Sequence, residues 1–167
     1  MYSSINIYRV GVDEADRFSN LVKTMWREAK ESGSLLGWSG ATDEVIEELT
    51  SKDVVHEILS QNLVYVAEIK DSLVGFAALK PLNDGEWELA GIMVMEMYTG
   101  RGVGSKLFRN ILEVARKAGL SRLIVKTEKD NHRAISFYKK MGFKLTGESV
   151  EKVSGTEVDI VILSLDL

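Results

Sequence analysis

The chain has 167 residues, 21 of them Lys or Arg and 25 Asp or Glu, for a net charge of −4. At 45% hydrophobic and 28% charged residues, it has the composition of one ordinary globular domain with a real core, which excludes a disordered tail or a fibre. Without cysteine and with two histidines, His56 and His132, it offers no disulfide framework, thiolate zinc site or cysteine nucleophile, and no metal centre is expected.

Residues 3–10 alternate in polarity and predict a first strand. Asp13 and Glu14 open a helix whose apolar positions Phe18, Leu21, Val22, Met25 and Ala29 keep helical spacing, with a stop near Ser32-Gly33. Ser34 to Ala41 reads as a loop that carries Leu35, Leu36 and Trp38. Thr42 caps a second helix, with Asp43 and Glu44 favourably placed in its first turn, and Ser51 caps a third that ends near Ser60. A hairpin follows: strand Leu63–Ile69, turn Lys70–Ser72, strand Leu73–Leu79. Pro81 to Gly85 is a turn, and Glu86–Met95 a strand.

The glycine loop Gly100 to Gly104 feeds a helix with Val103, Leu107, Ile111, Val114 and Ala118 on one stripe, closed by Gly119 and Leu120 in a Schellman-like ending. Strand Ser121–Thr127, a helix from about Asn131 to Lys140, and strands at Lys144–Val150 and Glu157–Leu165 complete the order. Gly142-Phe143 repeats the Gly-then-apolar ending. No linker or repeat interrupts it, so one mixed α/β domain is expected over residues 1–167.

The longest central apolar stretch, Ala90 to Met95, is far short of the about 20 residues that cross a bilayer. The N-terminus lacks a basic segment leading into an apolar one. A cytoplasmic protein without membrane contact is therefore expected. Charge is unevenly placed. Tyr98 to Lys144 carries a net +9, which leaves −13 for the rest. That asymmetry suggests one surface for a polyanion and another that tolerates cations; its alternative is solvated helix faces. A net negative chain with no RNP-like motif does not suggest nucleic acid.

The stretch YTGRGVGSK lies between a strand and a helix, where free N–H groups and the positive helix end make a ready anion site. It is not a P-loop or a dinucleotide fingerprint. Both need glycine five residues after the first, and from Gly100 that position is Ser105. Taken with NHRAISFYKKMGF, the pattern resembles the GNAT family of acetyl-CoA-dependent N-acetyltransferases. Thr99-Gly100-Arg101-Gly102-Val103-Gly104 matches the glycines of the family's phosphate loop. Asn131, Ala134, Tyr138 and Gly142-Phe143 match its second signature. Two positions depart from the pattern: Thr99, where Arg or Gln is usual, and Glu96, where Pro is common.

The resemblance implies a largely antiparallel mixed sheet with one splayed parallel strand pair and flanking helices. It implies acetyl-CoA as cosubstrate, held by Ile92, Met93 and Val94 along the pantetheine arm. The pyrophosphate would sit on amides from Arg101 to Ser105, including Gly102, Val103 and Gly104. Arg101, Lys106 and Arg133 are candidates for the other phosphate. Asn131 would touch the pantetheine, as a helix cap or beside that role. Tyr138 would be the donor to the departing thiolate; otherwise it is a half-buried helix tyrosine. The acceptor amine needs a base. Glu88 is the first candidate and Glu86 the second, both sharing a strand face with Ala90, Ile92 and Val94 if no bulge intervenes. Burial beside apolar neighbours would raise the carboxyl toward neutrality. Among Met25, Trp26, Leu35, Leu36 and Trp38, Trp38 is the stronger pocket candidate and Trp26 the weaker.

The expected activity is acetyl transfer to a cationic amine or a peptide amine, since residues 13–57 carry a net −6. A non-catalytic acyl-CoA-binding domain is the alternative. The resemblance also admits a homodimer.

Overall fold

The computed structural model describes residues 4–31, 42–83, 85–153 and 155–167. Seven strands form one sheet in the order β1-β2-β3-β4-β5-β7-β6. The strands are β1 (Asn6–Arg9), β2 (Leu63–Ile69), β3 (Ser72–Asn83), β4 (Glu86–Val94), β5 (Arg122–Glu128), β6 (Lys144–Val153) and β7 (Thr156–Asp166). The helices are α1 (Ala15–Glu31), α2 (Asp43–Leu49), α3 (Lys52–Gln61), α4 (Val103–Lys117) and α5 (His132–Lys140). Every strand pair is antiparallel except β4 and β5. The expected mixed sheet with one parallel pair is thus present.

The caps act as read. The Thr42 hydroxyl accepts from the Val45 N–H at 3.3 Å, and that of Ser51 from Val54 at 3.4 Å. Gly11, which precedes the first helix, supplies no side-chain cap, and the expected opening at Asp13 is a 3-10 turn (Val12–Glu14) that becomes α-helical at Ala15. β3 runs on through Pro81 rather than stopping at Leu79. A register shift between Pro81 and Asn83 accommodates the residue that cannot donate to the ladder.

The sheet is covered on both faces. Phe18, Leu21 and Met25 of α1, with Val55 and Leu59 of α3, bury against Val64, Val66, Phe76 and Ala78. Leu107, Phe108 and Ile111 of α4, with Tyr138 of α5, pack on the other face against Ala77, Leu79, Leu123 and Val125. α4 approaches β3 closely at Gly75, where a Cβ would stand 2.9 Å from the Met93 carbonyl and 3.2 Å from Leu107 Cδ1. Among the described residues no helix is long and apolar enough to cross a membrane.

The end of α5 fixes the position of Tyr138. Gly142 adopts φ +103°, and this lets the Phe143 N–H donate to the Tyr138 carbonyl at 3.0 Å. The Phe143 ring then stands 5.6 Å from the Tyr138 ring. A side chain at position 142 is strained by that backbone angle, and its Cβ would lie 3.3 Å from Leu165 Cδ1. Gly142→Ala is therefore expected to destabilise the fold by about 1–2 kcal/mol. A urea titration checks this by a lowered midpoint at unchanged slope; an unchanged midpoint would show that the left-handed ending does not constrain the fold.

Candidate active site

Parallel pairing between β4 and β5 runs through Glu86↔Arg122, Trp87↔Leu123 and Glu88↔Ile124, and stops there. Beyond Glu88 the strands part. In β4 the register against β3 slips at Ala90, because Leu89 pairs with Leu79 and Gly91 with Ala78. The strand face alternation is therefore broken. Ile92 and Val94 lie with Leu89 on the α4 face, whereas Met93 lies on the α1 face.

A cavity of about 460 Å³ occupies the parting. Its walls come from both sides of the sheet: Met25, Glu28 and Ala29 of α1, Ile92 to Val94 of β4, and Phe137 and Tyr138 of α5. The glycine loop closes one end. Gly100 and Gly102 hold φ of +74° and +82°, and a Cβ on either would meet nothing within 4 Å. Backbone conformation thus demands these glycines, while the space beside them stays open for a ligand. Lys106 donates to the Gly102 carbonyl at 3.0 Å, so the N–H groups of Val103, Gly104 and Ser105 have no partner inside α4. They form a donor array at the positive end of the helix. Gly104 lies beneath it, where a Cβ would stand 3.7 Å from Val94 and 3.9 Å from Phe137.

Most of the residues expected to hold the cosubstrate meet here. Ile92, Met93, Val94, Thr99, Gly100, Gly102, Val103, Gly104, Ser105, Asn131, Arg133 and Tyr138 all line the cavity. Asn131 caps α5, its Oδ1 accepting from the Ala134 N–H at 3.1 Å, so capping and lining coexist. Arg101 does not line the cavity; its guanidinium lies 5.3 Å from the centre of the Tyr98 ring, which does. The Lys106 ammonium is engaged on the Ile5 carbonyl at the far side of α4. Thr99, which lacks the usual long polar side chain, bonds the Glu96 carbonyl at 2.7 Å.

Tyr138 is 7% exposed and wedged between Phe137 and Phe143. Burial pushes its phenol up to about 12, above the expected value near 10.

The expected acceptor residues fare differently. The bulge separates Glu88 from Ile92 and Val94, so the shared face does not exist. Glu88 faces Lys80 and Ile124 and does not line the cavity. Glu86 pairs with Asn83 and Arg122 at the start of β4, away from the parting. Trp26 is absent from the cavity wall. Trp38, Leu35 and Leu36 lie outside the described residues. Two carboxylates that the sequence reading passed over do line it, Glu28 and Glu96. Glu28 also accepts the backbone N–H of Glu96 at 3.3 Å, linking α1 to the turn before the glycine loop. Glu28 is one residue before Ala29 on the apolar stripe of α1; that rim position was its only signal. Among the described residues no three His, Asp or Glu gather as a metal site.

The profile of the acetyltransferase (GNAT) family matches residues 23–143, more than half of the chain. Human N-acetyltransferase 8B is 27% identical over 148 residues, which cover 84% of this chain and 63% of the relative. Mouse N-acetyltransferase 8 is 30% identical over 104 residues, covering 59% and 46%. The chain thus matches less than two thirds of the length of either. Among solved structures, the PaiA N-acetyltransferase of Thermoplasma acidophilum in complex with coenzyme A superposes with a TM-score of 0.78 at 20% identity, over 98% of this chain and 99% of that one. The ribosomal-protein-S18-alanine N-acetyltransferase of Escherichia coli gives 0.72 at 15% identity, over 98% and 94%.

The raised phenol has a measurable signature. In a spectrophotometric titration of the folded protein, Tyr138 is expected to ionise last, near pH 12, and Tyr138→Phe to remove that step. The unfolded phenol ionises near 10. The folded state therefore holds this proton more tightly, and its contribution to stability is full below pH 10 and lost as pH rises from about 10 toward 12. Loss of a step near 10 instead would mean that the ring is solvated.

Proposed function

The chain belongs to the acetyltransferase (GNAT) family, and on that footing we propose that it transfers an acetyl group from acetyl-CoA to an amine. One observation carries the reading. A single cavity joins the donor array of α4, the unpaired end of β4 and Tyr138, and it opens onto α1 through the sheet.

The residues present fit the cosubstrate. Beyond Glu88, β4 has no β5 partner, so backbone groups of Ile92 to Val94 are available to the pantetheine arm. The amides of Val103, Gly104 and Ser105 would take the pyrophosphate, with the left-handed glycines allowing close approach. Arg133 and Asn131 stand on the same wall, and Arg133 would neutralise a further phosphate. Acetyl-CoA supplies the activated thioester.

Tyr138 would face the leaving sulfur. A thiol of ordinary pKa about 8.5 and a phenol near 12 make full proton transfer uphill by about 5 kcal/mol. Tyr138 is therefore better suited to donate a hydrogen bond to the thiolate than to give up its proton outright. The same shift keeps the phenol protonated, and hence a donor, across the working pH range.

The acceptor is read from charge. Many acids of the first helices are already paired: Glu47 with Lys23 and Arg27, and Asp43 with Lys30. The net −6 already counts the cations of these pairs. What remains at the cavity is Glu28 and Glu96 on the wall, which supports a cationic amine as acceptor.

Two experiments test the reading. Gly104→Val places methyl groups where the cavity narrows between Val94 and Phe137, so CoA binding by calorimetry is expected to vanish while the circular dichroism spectrum persists. Equal affinities would remove the phosphate-loop assignment. An amine panel with acetyl-CoA, followed by thiol release, is expected to give a higher kcat/KM for cationic than for anionic amines. The preference should shrink with added salt, because exposed charges are screened within about 10 Å at 0.1 M. CoA binding without turnover of any amine would instead make the chain a binding domain.

A further inference from the structure

Glu128 ends β5, and the register decides which way it faces. Glu88 stands opposite Ile124, and alternation carries the same face through Lys126 to Glu128. On β4 the bulge at Ala90 brings Gly91 and Met93 to that face. The bulge adds one residue to β4, so Met93 and Glu128 lie at about the same level on opposite banks of the parting. Met93 lines the cavity. So does Asn131, whose backbone N–H donates to the Glu128 carbonyl at 3.0 Å. Tyr138 belongs to the other face of the sheet. A phenol and a carboxyl therefore flank the parting from its two sides.

A second observation is independent of this placement. Glu128 Oε2 is buried without a hydrogen-bond partner, and so is Ser149 Oγ. Both residues pair with Ile160, one from β5 and one from β6, so they share a row and a face. Buried polar atoms are nearly always satisfied, because an unmade bond costs about 1–3 kcal/mol. Neither residue lines the cavity itself; Glu128 stands on β5, the strand that borders the parting, whereas Ser149 lies two strands further out.

We propose that Glu128, rather than Glu88, receives the proton of the acceptor amine at the parting. The inference rests on the acetyl-transfer reading above. The ammonium gives one proton to the Glu128 carboxylate. The freed nitrogen lone pair forms the bond to the thioester carbon, and the carbon–sulfur bond breaks with its electron pair going to sulfur. The nitrogen loses a second proton, which sulfur takes up. Ammonium, thioester and carboxylate thus become amide, thiol and carboxylic acid, with atoms and charge balanced. The acid returns its proton to solvent after release.

The environment suits the task. Burial, and then the Asp130 charge, raise the Glu128 carboxyl above the ordinary range, toward the amine it must deprotonate. On the same face of β5, two residues earlier, stands Lys126, which feels the charges of Glu151 and Glu88. The Lys126 ammonium is held by Glu151 at 3.1 Å.

The test uses the whole chain. Wild type is first assayed with the amine panel, where absence of all turnover overturns the acetyl-transfer reading and this inference with it. With a working amine in hand, Glu128→Gln is expected to lower kcat/KM about 10²-fold with unchanged CoA affinity, and to remove the acidic limb of its pH profile. Glu88→Gln is expected to fall far less. A Glu128→Gln enzyme within twofold of wild type, or an equal loss in Glu88→Gln alone, overturns the inference only. A readout independent of turnover comes from glutamate side-chain carbon NMR of the wild-type CoA complex. Adding the same amine should shift the Glu128 carboxyl resonance, identified by its loss in Glu128→Gln. A resonance that ignores the amine overturns the assignment whatever the variant does.

Discussion

Two neighbouring strands that run parallel for three residue pairs and then separate are the feature on which the rest of this molecule depends. A sheet normally satisfies each strand on both sides. Here β4 is held by β3 as far as Val94, yet has no β5 partner after Glu88. The backbone beyond that point must find partners elsewhere, and a 460 Å³ cavity opens beside it. An extended ligand arm that offers amide groups can take the place of the missing strand. The parting also makes a passage through an otherwise closed sheet, so chemistry on one face can reach a substrate on the other.

The elements around the parting are built to keep it polar at one end and tight in the middle. Gly75 lets α4 lie close enough on β3 for Val103 and Leu107 to pack within 3.5 Å of its Cβ position. That contact points the N-terminus of α4 at the cavity, with three amides unused. On the far wall, the left-handed Gly142 turns the chain so that Phe143 grips Tyr138 by backbone and ring together. The phenol is thereby desolvated. The result is a group that is hard to ionise and therefore stays a protonated donor on the cavity wall.

Charge divides along the same line. The basic segment that follows β4 supplies the loop, α4 and α5, which suits a phosphate-rich cosubstrate. Two acids of α2 tie that helix to α1, Glu47 through Lys23 and Arg27 and Asp43 through Lys30. Glu28 escapes this use because it sits at the edge of the apolar stripe, where α1 passes over the parting. Its bond to the Glu96 N–H joins α1 to the turn that leads into the glycine loop.

What the sequence determined was whatever local backbone chemistry spells out. Left-handed turns need glycine, so Gly100, Gly102, Gly119 and Gly142 announced the loop and two helix ends. Caps need a short polar side chain, so Thr42, Ser51 and Asn131 marked three helix starts. Together with Tyr138 at fixed spacing from Asn131, these made the family and the cosubstrate wall legible. The tertiary structure decided what depends on register and on distant neighbours. One extra residue at Ala90 moved Glu88 off the face of Ile92 and Val94. Lys106 left the phosphate side because Ile5, far away in sequence, offered its carbonyl. Glu28 and Glu128 look like ordinary surface acids in the chain. One lines the cavity and the other has one carboxyl oxygen buried without a hydrogen-bond partner, through helix packing and strand pairing that no residue near either in sequence records.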